Sequence, residues 1–200
     1  MSWFGADPGG KGKFAVAKLD ADGRFETWCC SSVEEALQWI KSAKAVGIDC
    51  PTWWSSVAGG GREVDRWLRC KYRLHSGTVQ SVNSLRGAAV VQGVLLAMRL
   101  RERSPNLPIT ETHPKALLKT YRLSSDPSWF KIAETFGLNR EKPKRWNEHR
   151  RDALLSAVAA REGMLGRWRD LSVDIDRDRG ELDPKKLWFG PVSYWWPQGH

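Results

Sequence analysis

Apolar and polar positions alternate over the first thirty residues with the period of strands. Trp3 to Asp7 is a short apolar run closed by Pro8-Gly9-Gly10, Phe14 to Leu19 is a second run, and Arg24 to Cys30 a third. Between the last two, Asp20-Ala21-Asp22-Gly23 has the composition of a hairpin turn, with glycine available for positive φ. The period then lengthens. Ser31 and Ser32 cap a predicted helix with an acidic first turn (Glu34, Glu35) and an apolar stripe of Val33, Ala36, Leu37 and Ile40, ending near Ala43. Ala45 to Ile48 predicts a compact buried strand that delivers Asp49 before Cys50-Pro51 stops it. Trp53 to Gly61 reads as loop and Arg62 to Arg73 as a basic helix. Ser84 to Arg103 reads as a long amphipathic helix offering Leu85, Ala88, Ala89, Val91, Leu95, Leu96 and Leu100 to a core. Ile109 to Thr112 predicts a fifth strand, and Ala116 to Tyr121 and Asp126 to Gly137 short helices. Asn147 to Gly163 is the strongest helix, with Leu154, Leu155, Ala157 and Val158 inward.

The order β-β-β-α-β-α-β-α predicts an α/β domain built on a mixed five-stranded sheet flanked by helices, over residues 1–165. Residues 166–200 alternate charge clusters with Pro, Gly and aromatic pieces (Trp188-Phe189, Tyr194-Trp195-Trp196) and read as a Trp-rich C-terminal extension packed on that core. In this order an acidic residue stands at the end of the first strand (Asp7), the fourth (Asp49) and the fifth (Glu111). A fourth acid, Asp152, sits on the strongest helix; all four are expected to hold metal, with pairing to a neighbouring arginine as the alternative for Glu111. The first and fourth strands of such a sheet can lie side by side, which would bring Asp7 and Asp49 together under a helix presenting Asp152. Clustered carboxylates repel unless one holds a proton or a cation joins them, so the expected cofactor is Mg2+ or Mn2+. Two such ions about 3.5 to 4 Å apart serve an in-line phosphoryl displacement. On the same helix His149 precedes Asp152 by three positions and Glu148 precedes it by four, so all three can share a side. His149 is then a candidate to orient water, transfer a proton or touch the scissile phosphate.

Composition narrows the partners. A chain of 200 residues with 41% apolar and 28% charged residues builds one soluble domain and excludes a disordered or fibrous one. No apolar run is long enough to span a bilayer and Met1 to Gly10 lacks a basic region followed by an apolar one, so a cytoplasmic protein without a membrane partner is expected. Cys29, Cys30, Cys50 and Cys70 have no metal-finger spacing and read as reduced, mostly buried thiols. A net charge of +9 points to a polyanion, and nucleic acid, DNA or RNA, is the expected partner. Arg62 and Arg66 recur at helical spacing, either as a solvated face paired with Asp65 or as phosphate contacts. Gly59-Gly60-Gly61-Arg62 is either a plain flexible loop or a phosphate cradle. Lys142, Lys144, Arg145 and Arg150, with Trp146 interleaved, form a basic connector into the acid-bearing helix that can track a nucleic-acid backbone. His75, His113 and His200 lack ligand-spaced partners and are read as structural, and most of the twelve tryptophans as core filler.

The segments Phe4-Gly-Ala-Asp7-Pro-Gly-Gly10, Val46-Gly-Ile-Asp49-Cys-Pro51, Gly61-Arg-Glu-Val-Asp65-Arg, Glu111-Thr-His-Pro114 and His149-Arg-Arg-Asp152-Ala-Leu-Leu resemble the predicted RNase H-like nuclease family known as domain of unknown function 429, over about residues 3 to 163. The resemblance implies a ribonuclease H or resolvase-like fold, and Asp7, Asp49 and Asp152 as metal ligands; Glu111 falls in a motif whose role is less settled. The immediate Pro-Gly-Gly after Asp7 departs from the ribonuclease H pattern, in which the first strand continues past its acid, and the tail after Gly166 has no counterpart. The leading expectation is a metal-dependent nuclease using two metal ions. The alternatives are a catalytically inactive nucleic-acid-binding or scaffold protein on the same fold, and an actin-like ATPase relative, which needs a second such domain.

Overall fold

The alternating N-terminal segments pair as a meander. In the computed structural model, which describes residues 1–57, 61–80, 87–141, 143–177 and 179–198, β1 (Ser2–Asp7), β2 (Phe14–Asp20) and β3 (Phe25–Cys30) are successively antiparallel. The turn between β2 and β3 places Gly23 at φ 83°, a conformation a Cβ would resist. β4 (Val46–Ile48) lies parallel to β1 and β5 (Ile109–Glu111) parallel to β4, so the sheet order is β3-β2-β1-β4-β5. The molecule is a mixed α/β protein whose five-stranded mixed sheet, flanked by helices, is consistent with an RNase H-like fold.

The helices are α1 (Val33–Trp39), α2 (Glu63–Tyr72), α3 (Gly87–Arg103), α4 (Pro114–Thr120), α5 (Trp129–Phe136), α6 (Glu148–Met164) and α7 (Leu171–Asp174). α1 stops short of Ala43. Ile40 is already extended, Ser42 takes φ 53°, and the Lys44 N–H donates to the Ser2 carbonyl, so the chain is turning to enter β4 beside β1. On α3 the buried positions are Gly93, Leu96, Ala97, Leu100 and Arg101, while Val91 and Leu95 are exposed, which corrects the expected stripe; its predicted start at Ser84 and Leu85 lies outside the described residues. Gly93 explains the rotation: a Cβ there would overlap the Cys50 side chain, so this face of α3 meets the loop after β4 at close range. Cys50 and Cys30 are buried, but Cys29 and Cys70 are exposed, so half of the thiols are not in the core.

α6 is the central helix. Every residue from Arg151 to Glu162 is buried, not the single inward stripe that the sequence suggested. After it, β6 (Trp168–Asp170) and β7 (Trp195–Pro197) form a second, antiparallel two-stranded sheet. Ser193 pairs with the outer edge of β5, exchanging backbone bonds with Ile109 and Glu111, and so covers an edge that would otherwise present unpaired N–H and C=O groups. Trp195 lies over Gly163, where any Cβ would overlap the indole, and Tyr194 and Trp196 are buried. No helix among the described residues is long and apolar enough to cross a membrane.

Candidate functional site

Two glycines bring the acids together. Gly5 of β1 and Gly47 of β4 are register partners, and a Cβ on either would overlap the backbone of α6: at Ala153 and Ala157 for Gly5, and at Ser156 for Gly47. α6 therefore lies directly on the sheet. Side chains two apart on a strand share a face, so Asp7 and Asp49 point the same way as Gly5 and Gly47, about 6.6 Å further along. Four residues back along α6 from Ser156, about 6 Å, is Asp152. Strand and helix thus deliver one carboxylate each from β1, β4 and α6 to the same depression. It is a cavity of about 170 Å3 lined by Asp7, Asp49 and Asp152 together with His149, His113 and Lys115, and closed by the loop around Thr78.

Within it, His149 Nδ1 and Asp7 Oδ2 share a hydrogen bond of 2.7 Å. That bond, with the nearby carboxylate charges, holds the imidazole pKa above its ordinary value. Burial pushes the Asp7 carboxyl up to about 6, against the His149 hydrogen bond and with the Asp152 charge adding to the rise. Asp49 is pushed well above the carboxylate range by burial and by the charges of Asp7 and Asp152. Asp152 is raised by burial despite the guanidinium of Arg151, whose Nε donates to its Oδ1 at 2.8 Å. Three neighbouring carboxylates that all resist ionisation form a site short of positive charge.

Glu111 is placed differently from the other three. It does not line this cavity, and both of its oxygens are engaged: Arg62 Nη2 donates to Oε1 at 2.5 Å, while Arg62 Nη1, the Thr52 N–H and the Thr52 hydroxyl donate to Oε2. Burial works to raise its pKa, but the Arg62 charge and hydrogen bonds override it and hold the carboxyl at about 2. Arg62 also donates through Nε and Nη2 to Asp65 and through Nη1 to the Trp53 carbonyl, with its guanidinium 4.2 Å from the Trp53 ring. Asp65, Glu111 and His113 each bring a ligand atom within 4.8 Å of the others, a group that could hold a metal ion. Arg62 already lies against both carboxylates and supplies balancing charge there.

The expected phosphate contacts fare unevenly. Arg62 is fully buried, so the phosphate contact expected of it is corrected: its guanidinium is consumed inside the protein, and Asp65 beside it is no part of a solvated face. Of the Gly59-Gly60-Gly61 piece, residues 59 and 60 lie outside the described residues, as does Lys142. Arg66 pairs with Glu63 on α2. Arg150 ties α6 to β3 by donating to the carbonyl and hydroxyl of Thr27. Lys144 lines a separate cavity of about 520 Å3 with Arg24, Glu26 and Asn139, which includes none of Asp7, Asp49, Glu111 and Asp152, and Arg145 is exposed. His113, expected to be structural, is buried at the wall of the acid cavity with Nε2 3.5 Å from Glu111. Lys115, passed over in the sequence, lines the cavity two residues later. The signal for both was the run Glu111-Thr112-His113-Pro114-Lys115, a strand end feeding a helix start.

No curated protein matches the chain. A family model described as protein of unknown function (DUF429) matches residues 5–125. The match takes in Asp7, Asp49, Arg62, Asp65, Glu111, His113 and Lys115, and stops before α6, so His149 and Asp152 are joined to the family's segment by the fold. With more than half of its length matched, from β1 through α4, the chain belongs to the DUF429 family.

Proposed function

We propose that the chain hydrolyses phosphodiester bonds of nucleic acid with Mg2+ or Mn2+ held by Asp7, Asp49 and Asp152. The observation that carries this reading is the convergence of three carboxylates from β1, β4 and α6 on one cavity, with burial and mutual repulsion resisting the ionisation of each. An all-oxygen donor set of this kind suits a hard divalent cation, and cation binding removes the repulsion. Such ions, once bound, supply a water of lowered pKa and charge stabilisation for the leaving oxygen. Asp7 and Asp49 act as fixed oxygen donors, and Arg151 orients Asp152 through its Nε hydrogen bond. His149, kept cationic to a higher pH by Asp7, contacts a phosphate oxygen or returns a proton to the leaving group.

Asp65, Glu111 and His113 are the competing metal set, and Arg62 argues for the aspartate cavity instead, because a guanidinium held between Asp65 and Glu111 does there what a metal would do. The Arg151 bond to Asp152 favours a second reading, a protein that binds nucleic acid without cutting it, since part of the acid charge is already balanced. The test is incubation of the full chain with labelled single-stranded, duplex, hybrid and branched nucleic acids in Mg2+ or Mn2+, beside Asp49→Asn and Asp152→Asn. Cleavage that both substitutions abolish supports the nuclease. A folded wild type that binds these ligands and cuts none of them leaves the binding protein.

A further inference from the structure

A second depression adjoins the acid cavity. It encloses about 670 Å3, shares Thr78 and Lys115 with the first, and passes Glu148, Asn147 and Trp146 to reach Lys119, Ser125 and Asp126. Lys115 and Lys119 are both exposed and one turn apart on α4, about 6 Å along its axis, so two ammonium groups line one wall. Trp146 is half-buried and braced by Trp129, ring centre to ring centre 5.0 Å at 75°, and by Phe25, so its indole is a fixed platform. Arg151 forms the floor, with Nη1 donating to the Ser125 carbonyl. The opposing charges are at the rim. Glu148 lies 3.8 Å from Lys115, an exposed pair of the kind readily exchanged for a better anion, and Asp126, 97% exposed, lies 3.6 Å from the buried Arg151.

We propose that this depression seats the nucleotide next to the scissile phosphate of a single-stranded nucleic acid, with Lys115 and Lys119 against its phosphates and Trp146 under its base. The proposal rests on the nuclease reading above and adds the form of the substrate. Lys115 stands at the junction of the two cavities and lines the first together with Asp7, Asp49 and Asp152, so it is within reach of a phosphate held there. A base can lie on Trp146 only with its face free of a stacked neighbour, which an unpaired strand provides. The cavity has the volume of a small-molecule pocket, enough for one nucleotide, and is bordered by Thr78 and by Glu148 and Arg151 of α6. Lys115 and Lys119 of α4 are added to the residues expected from the sequence, Arg66, Lys142, Lys144, Arg145 and Arg150, while Arg62 is buried.

The test is binding, measured by fluorescence anisotropy with a short labelled oligonucleotide, on the full chain carrying Asp49→Asn so that nothing turns over. The expected result is tighter binding of the single strand than of the same sequence as a duplex. Lys119→Glu, an exposed position remote from the core, should weaken single-strand binding about tenfold and flatten its salt dependence. A strand with an abasic position beside the central phosphate should bind more weakly than the intact one, a comparison that needs no protein variant. Equal or better duplex binding, or affinity indifferent to both Lys119→Glu and the abasic position, overturns the proposal. Metal-dependent cleavage alongside an indifferent Lys119→Glu removes this seat and leaves the nuclease. Binding sensitive to Lys119→Glu with no cleavage by wild type removes the nuclease and leaves a strand-binding groove.

Discussion

Arg62 spends all five of its N–H donors inside the protein, on Asp65, Glu111 and the Trp53 carbonyl, and neither it nor the two acids reaches solvent. Removing the cation would strand two buried carboxylates, so Arg62→Ala should lose about 3–5 kcal/mol of stability, read by urea unfolding. The same network sets an acid limit. Glu111 has its pKa lowered to about 2, so its contribution is present above its ordinary value near 4.5 and is lost as pH falls toward 2. Asp7 has the opposite sign. Raised to about 6, it costs nothing while protonated and increasingly opposes folding as pH rises from about 4 through 6. The His149 bond is strongest below the ordinary imidazole value of 6.5 and fades as pH passes the raised one. In chelator, stability should therefore peak near pH 4 to 4.5, falling below it as Glu111 takes up a proton and above it as the raised aspartates ionise, measured as melting temperature against pH. Half of the network was legible beforehand: Arg62 and Asp65 are three apart on a helix. Their third partner, Glu111, is 49 positions from Arg62, and nothing local connects them.

Gly5, Gly47 and α6 act as one unit. A strand glycine ordinarily weakens a strand, and here the absent side chains let the helix backbone rest on the sheet and carry Asp152 to Asp7 and Asp49. Gly47→Ala should lift α6 from the sheet, with a loss of roughly 1–3 kcal/mol or more in urea unfolding. It should also abolish any stabilisation by Mg2+, because Asp152 moves with the helix; an unchanged Mg2+ response would show that the acids do not depend on this contact. The helix itself was visible in the sequence because its apolar residues repeat with helical period. Its burial on all sides was not, since that depends on the glycines of strands 100 residues and more away. α3 carries the same lesson in reverse: Val91 and Leu95 look like core residues, and the approach of Gly93 to Cys50 turns them outward.

Across the whole molecule, the +9 charge coexists with a cavity that gathers acids, and a divalent cation reconciles the two. Millimolar Mg2+ or Mn2+ should raise the melting temperature at about pH 7.5, and the rise should shrink at about pH 5, where protons take the cation's place, and in Asp49→Asn at either pH. An equal rise in the variant would place the ion elsewhere, with Asp65, Glu111 and His113 the next set to examine. The succession of elements along the chain, the turn at Gly23, the address of Asp7 and Asp49 at strand ends and the helix bearing His149 and Asp152 were all determined by the sequence, because each follows from local periodicity and turn chemistry. The tertiary structure decided which charges meet. It buried Arg62 against Glu111, withdrew that acid from the aspartates, brought His113 and Lys115 to their cavity and laid Ser193 along the edge of β5. Those outcomes depend on desolvation and on contacts between residues far apart in the chain, and a linear pattern carries neither.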